Sequence, residues 1–355
     1  MYIVLAIVIF GLLILVHELG HFVAAKRLGV KVNEFAMGMG PKLFSFTRGE
    51  TTYALRALPL GGACVMEGED EDNLDPRSFN AQAPWKRIII LAAGAFMNLV
   101  FGLIIVMILQ PGSYDMTSTT ITGFALGFPY EGEQALMVGD KIHSINGSRT
   151  YYAEDFLMYM DFPDAKDGII DLVIVRNWEK IKLNDFELIP REYLNDRGEL
   201  VLRYGLAFQS IEPTLGERTK YCFYTTYNYA RMVKIGLEQL VTGQASLKDL
   251  SGPVGIVATI NETAQNPKLE TVGARVEMVL TLGAFIAVNL AVMNLLPIPA
   301  LDGGRIVGVI ITWIIEKITK KRPNPKYEGY IHTGGFALLM LLMVIVLVSD
   351  VVRLI

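Results

Sequence analysis

Four stretches of the chain are apolar at almost every position, and the segments between them are not. They cover residues 3–24, 88–109, 276–297 and 334–352. Each approaches or exceeds the ~20 residues that a helix needs to cross a bilayer, so four membrane-spanning helices are expected. The first begins MYIVLAIVIFGLLILV, with no basic residue ahead of it and no small-residue cleavage pattern after it. It therefore reads as a retained span rather than a signal peptide. Lysine and arginine set the orientation: nine fall in 25–87, six in 298–333, and none before the first stretch. Both connections are expected to be cytoplasmic, with both termini and the long segment 110–275 outside.

Within that long segment the pattern changes to short β-rich runs at 119–126, 169–175, 181–186 and 200–208, with one helical stretch at 153–160. The run VGDKIHSINGSRT at 138–150 places turns at Gly139-Asp140 and Asn146-Gly147, with Ile142 and Ile145 facing inward. It resembles the signature of PDZ domains, which bind peptides by adding them to a sheet edge. The upstream sequence GEQALMVGD departs from the usual PDZ loop. After it, residues 221–241 carry aromatics together with Arg231, Lys234 and Glu238. That stretch is too polar to span. It reads either as an amphipathic helix at the outer interface or as a helix packed on the PDZ-like domain. The expected organisation is a membrane core at 1–117, a PDZ-like domain at 118–208, a juxtamembrane segment at 209–275 and a second membrane core at 276–355.

Composition changes this picture little. Hydrophobic residues make up 52% and charged residues 19% of the chain, against about 45–50% and about 25% in soluble domains. A net charge of −4 without a basic block gives no sign of nucleic acid. Cys64 and Cys222 have no metal-ligand spacing, and the expected topology puts them on opposite sides of the membrane, which argues against a disulfide.

The chemistry lies inside the first apolar stretch. His17-Glu18-Leu19-Gly20-His21 is H-E-x-x-H, and two of the four histidines of the chain are here. On a helix, i and i+4 share a face, so both imidazoles can reach one ion, with Glu18 beside it to activate water. Ionisable groups at the centre of a bilayer each cost about 2.5–3.5 kcal/mol on insertion scales, so three of them imply a site facing protein. A catalytic zinc takes three protein ligands and keeps one position open. The candidate for the third is Asp302, in NLLPIPALDGG, where Pro297 and Pro299 break the third span and Gly303-Gly304 allow a sharp local conformation. At ~1.5 Å per residue His17 lies ~21 Å down the first helix, in the cytoplasmic third of the bilayer, which the end of the third span also reaches. Two histidines and an aspartate with an open position favour zinc. His143 and His332 are expected to be structural or interfacial.

HELGH, NLLPIPALDGG and an inserted PDZ-like segment together resemble the site-2 protease family over nearly the whole chain. The similarity is to its bacterial RseP/RasP-like branch, here with a single PDZ-like unit. The resemblance implies a polytopic α-helical protein of the bacterial plasma membrane, with a membrane-associated β-hairpin and an inserted extracytoplasmic α+β domain. It implies Zn2+ on His17, His21 and Asp302, Glu18 as general base, and an active site towards the cytoplasm. Asn294 would hold the substrate backbone or its oxyanion, with Pro297 and Pro299 in the same substrate-binding stretch. Asn98 belongs to a Gly-x-x-x-Asn element, Gly94 to Asn98, near the site. The segment 42–65, with Gly61 and Gly62, would be the hairpin that pairs with unwound substrate, and SGPVGI at 251–256 a loop preceding the third span. Members of the branch cleave anti-sigma factors and remnant signal peptides, so the implied partners are single-span membrane proteins and the bilayer.

The expected reaction is metal-assisted hydrolysis of a peptide bond in a locally unwound transmembrane helix, with the PDZ-like domain as a size filter for substrates already trimmed. Two rivals are a silent membrane adaptor, which would have no use for Glu18, and a metal transporter. The latter would favour an internal repeat, and the two halves of the sequence show none.

Overall fold

A computed structural model of the chain describes residues 2–69, 75–109, 116–161, 167–194, 198–212, 214–244, 255, 258, 271–320 and 325–354. The elements in the first part are α1 (Tyr2–Arg27), β1 (Val32–Arg48), β2 (Thr51–Met66), α2 (Pro84–Leu109), β3 (Met116–Phe124), β4 (Lys141–Ile145), β5 (Ser148–Arg149) and α3 (Ala153–Met160). There follow β6 (Ile169–Arg176), β7 (Glu179–Glu187), β8 (Arg191–Leu194), β9 (Leu200–Arg203), β10 (Leu206–Ile211) and α4 (Leu215–Thr242). The last are α5 (Val272–Asn294), α6 (Asp302–Thr319) and α7 (Pro325–Leu354). They form two compact units, one of Met1–Leu109 with Thr225–Ile355, the other Gln110–Tyr224.

In the first unit, four helices among the described residues are long and apolar enough to cross a membrane: Ile7–Arg27, Pro84–Leu109, Val272–Asn294 and Gly329–Asp350. These are the four apolar stretches of the sequence, and the chain is a multi-pass membrane protein. With no solvent to drive them together inside a bilayer, helices associate where small residues let backbones approach. Gly20 of α1 lies under Ala93 and Met97 of α2; a Cβ there would sit 2.9 Å from Met97 Cγ. Gly102 of α2 does the same against α5, where a Cβ would lie 2.9 Å from Val288. Ile9 and Leu13 of α1 close the packing against Val279, Ile286 and Ala287 of α5.

The hairpin begins earlier than the 42–65 expected, and it folds back on itself. Ala36 pairs with Ala54 on one side and with Ala63 on the other, and Phe35 likewise with Tyr53 and Cys64. The first part of β1 is therefore central, and the end of β2, 62–66, is an edge. Glu34 staples the fold, accepting from Lys42 Nζ at 2.7 Å and Arg56 Nη2 at 2.6 Å.

Two expectations need correction. Residues 298–333 are not simply a connection, because Asp302–Thr319 forms α6, a helix packed on α2 with Val309 buried. The break before it is also tighter than expected, α5 ending at Asn294 with Leu295 as its C-cap. The later half of α4 lies beside α5: the rings of Tyr229 and Phe285 are 5.6 Å apart, and Leu237 and Val241 line an apolar groove with Val292 and Leu296. This brings α4 level with Asn294, away from the entrance of α5. Of SGPVGI only Gly255 is among the described residues, its N–H bound to the buried Asp350 of α7 at 2.8 Å. The His332 side chain lies outside them.

The second unit is an antiparallel sheet in the order β10-β3-β4-β6-β7, with β5 on β4, α3 and a separate β8-β9 ladder. Asn146 and Gly147, both at positive φ, close the hairpin at Ile145 and Ser148, the left-handed pair that a two-residue turn requires. The core holds Ile121, Leu136, Ile142, Ile145, Phe156 and Ile174. Asp140 is buried and held by Arg176 through two bonds of 2.7 Å, while Arg176 also reaches the Glu133 and Ala135 carbonyls. The run expected at 200–208 is interrupted at Gly205, whose positive φ and contact with the Tyr193 ring end β9 before β10 begins. His143 lies on β4 against Arg149; burial and that cation lower its pKa. Cys64 and Cys222 are free thiols.

Candidate metal centre

Three donor atoms converge from two helices. His17 Nε2 and His21 Nε2 on α1 lie 3.2 Å apart, and Oδ2 of Asp302, at the start of α6, lies 3.3 Å from the first and 3.4 Å from the second. Ligands held tetrahedrally at about 2.0–2.1 Å from an ion lie about 3.3–3.4 Å from one another. Oδ2 of Asp302 is buried and accepts no hydrogen bond, a state that costs a carboxylate several kcal/mol unless a cation completes it. The residues therefore fit a tetrahedral divalent ion with one position left for water, and zinc suits the donor set.

Each ligand is aimed by its surroundings. His21 Nδ1 donates to the Ile90 carbonyl of α2 at 2.8 Å, which fixes the tautomer and leaves Nε2 as the metal-facing lone pair. His17 Nδ1 has the side-chain amides of Asn98 at 3.4 Å and Asn294 at 3.5 Å. With Nε2 turned to the ion, Nδ1 keeps its proton and needs an acceptor. The atom facing it is Asn98 Nδ2; Asn98 Oδ1, buried without a partner, becomes the acceptor once the two ends of the amide are exchanged, the orientation that a protonated Nδ1 selects. Gly94 makes room for both rings, since a Cβ there would fall 2.7 Å from His17 Cε1.

Asp302 is placed by backbone packing. After α5 the chain turns through Leu295–Leu301, with Ile298 N–H bound to Leu296 O at 2.7 Å and Leu301 N–H to Ile298 O at 3.1 Å. The glycines after the acid serve differently from expectation: neither has positive φ, and it is Ala300 that takes the left-handed conformation at φ 78°. Gly303 and Gly304 instead lie hard against the carbonyls of Leu295 and Ile298, where no Cβ fits.

A cavity of about 370 Å³ opens on this centre, lined by His17, Glu18, His21, the strand Ala63 to Met66, Glu69, Leu91, Asn294, Ala300, Leu301, Asp302 and Arg305. Glu18 shares it with the three ligands, as a base acting on a bound water must. Asn294 reaches both the cavity and His17. Asn98, only 1% exposed, stands behind His17 rather than in the cavity wall. Pro297 and Pro299 are also outside the wall; Pro299 packs against Gly335 of α7. Gly62 lies on Glu18, where a Cβ would come within 2.6 Å of its Cγ, and Gly61 turns at φ 76° beside Met39. Sequence reasoning did not find Glu69, Arg305 or the Ile90 carbonyl. Arg305 follows Asp302 by one helical turn, a spacing that could have pointed to it, whereas a backbone carbonyl leaves no mark in a sequence.

The model of peptidase family M50 matches residues 5–342. A provisionally named zinc metalloprotease of Clostridium perfringens is 39% identical over 354 residues, covering 99% of each chain. The zinc metalloprotease RasP of Bacillus licheniformis is 29% identical, covering 98% of each chain. The regulator of sigma-W protease RasP of Bacillus subtilis is 28% identical over 98% of this chain and 97% of its own.

Proposed function

Given that this chain belongs to peptidase family M50, whose members include site-2 proteases, and is a zinc metalloprotease, we propose that it hydrolyses peptide bonds inside the transmembrane segments of single-span proteins. The observation that carries this reading is the position of the metal-binding set. His17 and His21 lie within a helix long and apolar enough to span, and the carboxylate that joins them turns one buried oxygen, which accepts no hydrogen bond, towards both imidazoles. A soluble peptidase has no use for such a placement, and an adaptor has no use for Glu18.

In this reading His17, His21 and Asp302 hold the zinc, which when bound acidifies a water and polarises the scissile carbonyl. Glu18 takes the proton of that water and delivers it to the leaving amine. Asn294, on the cavity side of His17, holds the substrate carbonyl or its oxyanion. A transmembrane helix hides its carbonyls in its own hydrogen bonds, so the substrate must unwind, and each freed group needs a partner. The edge of β2 at 62–66 offers a row of backbone donors and acceptors along the cavity, and strand pairing there supplies them.

The favoured substrates are trimmed anti-sigma factors or remnant signal peptides, and the favoured setting is a bacterial plasma membrane with the centre towards the cytoplasm. The sheet of Gln110–Tyr224 supports a PDZ-like reading, with β10 as an end strand and Phe156 of α3 packed on Tyr204 and Phe208. In that role the unit lies outside the membrane and admits substrates already shortened. The test is cleavage of a tagged single-span substrate by wild type and by Glu18→Gln at equal protein levels. Product only with wild type supports the reading, and equal cutting by both defeats it.

A further inference from the structure

Glu69 and Arg305 meet in the wall of the catalytic cavity, and the proposed chemistry above uses neither. Arg305 Nη1 pairs with Glu69 Oε1, with side-chain exposures of 27% and 12%. The other oxygen, Oε2, accepts the backbone N–H of Met66 at 3.3 Å, the last residue of the β2 edge. The Glu69 carbonyl accepts from Asn80 Nδ2 at 3.0 Å, which fixes the loop that carries it. Arg305 stands one turn beyond Asp302 on α6, and a further turn along Val309 enters the same apolar cluster as Met66 and Val32. The carboxylate of Glu69 thus bridges the end of the substrate-side strand to the helix that supplies a metal ligand.

An exposed ion pair contributes only about 0–1 kcal/mol and would need no explanation. This one is mostly withdrawn from water, where loss of one partner strands the other. Its placement has a geometric consequence. The edge of β2 sets the height at which an unwound substrate strand lies, and Asp302 sets the height of the ion. The distance between the two decides whether the scissile carbonyl reaches the centre, and a misplacement of about 1 Å can cost on the order of 100-fold in rate.

We propose that the Glu69–Arg305 pair is a positioning latch that holds the substrate-pairing edge of β2 in register with the helix bearing Asp302. Its catalytic consequence rests on the proteolytic reading above; the mechanical link does not. Neither residue is one of the three metal-ligating side chains. Both act through the elements they join.

The test compares Glu69→Gln, Arg305→Gln and the double variant in the full chain, in detergent or reconstituted vesicles. Bound zinc, kcat and KM on a tagged single-span substrate, and amide exchange over residues 62–66 are measured together. Each single change is expected to lower kcat about tenfold or more with zinc content unchanged. The double is expected to be no worse than the worse single, as for residues that act as one unit. Exchange at Met66 is expected to quicken in both singles. Additive losses in the double, loss of zinc in the singles, or unchanged exchange at Met66 would each overturn the latch. A wild type that cuts no transmembrane substrate defeats the proteolytic reading instead, while the exchange measurement still decides the mechanical link.

Discussion

Gly94 of α2 lies against the imidazole of His17 of α1, so close that a Cβ would stand 2.7 Å from Cε1. The metal-binding face of α1 is thus formed against a position of α2 that has no side chain. Gly94→Ala should push the two rings apart and lower both zinc content and cleavage, by roughly tenfold or more in rate, without changing the insertion of α2. Metal analysis of purified protein beside the cleavage assay checks it; full zinc with full activity would show that the rings have room.

With its amide oxygen turned to His17, Asn98 accepts the Nδ1 proton and so orients the ring. Loss of such a supporting partner typically costs about 10–100-fold in affinity or activity. Asn98→Leu should fall in that range, whereas Asn98→Asp, which keeps an acceptor, should retain far more of the wild-type zinc affinity. Competition with a zinc-binding dye measures the difference. Equal loss in both variants would point to packing instead.

Removal of metal by a chelator should abolish cleavage, and added Zn2+ should restore it. Asp302→Ala should remove the stranded carboxylate and the third ligand together, so that zinc no longer stays bound through purification and added Zn2+ restores little. A variant that regains wild-type activity with zinc would remove Asp302 from the ligand set.

In the second unit, Asp140→Ala should remove the buried carboxylate that Arg176 grips through two bonds and leave Arg176 with only the Glu133 and Ala135 carbonyls. Removing one partner of a fully buried pair costs about 3–5 kcal/mol, and the cost here should be smaller because the Arg176 side chain is still 17% exposed. Faster amide exchange in β4 and β6 of the full chain should report it, with no change at His17 or His21. Protection left at the wild-type level would mean the pair contributes little to the fold.

How much of this could be read from the sequence depends on the kind of interaction. The spans were legible because a bilayer demands long apolar runs whatever lies beside them, and the four runs are the four candidate helices of the structure. α3 at Ala153–Met160 and the turn at Asn146-Gly147 were legible because local chemistry alone decides them. The boundary of the hairpin was not: β1 starts at Val32 because its first half pairs on both sides, with Ala54 and with Ala63, and double pairing leaves no signature in a stretch that is neither strongly alternating nor uniformly apolar. α6 was missed because its charges at Asp302, Arg305, Glu316 and Lys317 gave the segment the look of a connection.

The sequence by itself determined that two histidines share one helical face within a span, since a spacing of four residues guarantees it, and that a glutamate stands beside them. Only the tertiary structure decided that Asp302 completes the set, because a third ligand far along the chain is brought there by how α6 begins against the Leu295 and Ile298 carbonyls. It alone decided which groups stand behind the ligands, among them a backbone carbonyl at Ile90 and the amide of Asn98. Helical periodicity is a property of neighbours in sequence. A coordination sphere is a property of neighbours in space, and it is assembled by packing between segments that share no local pattern.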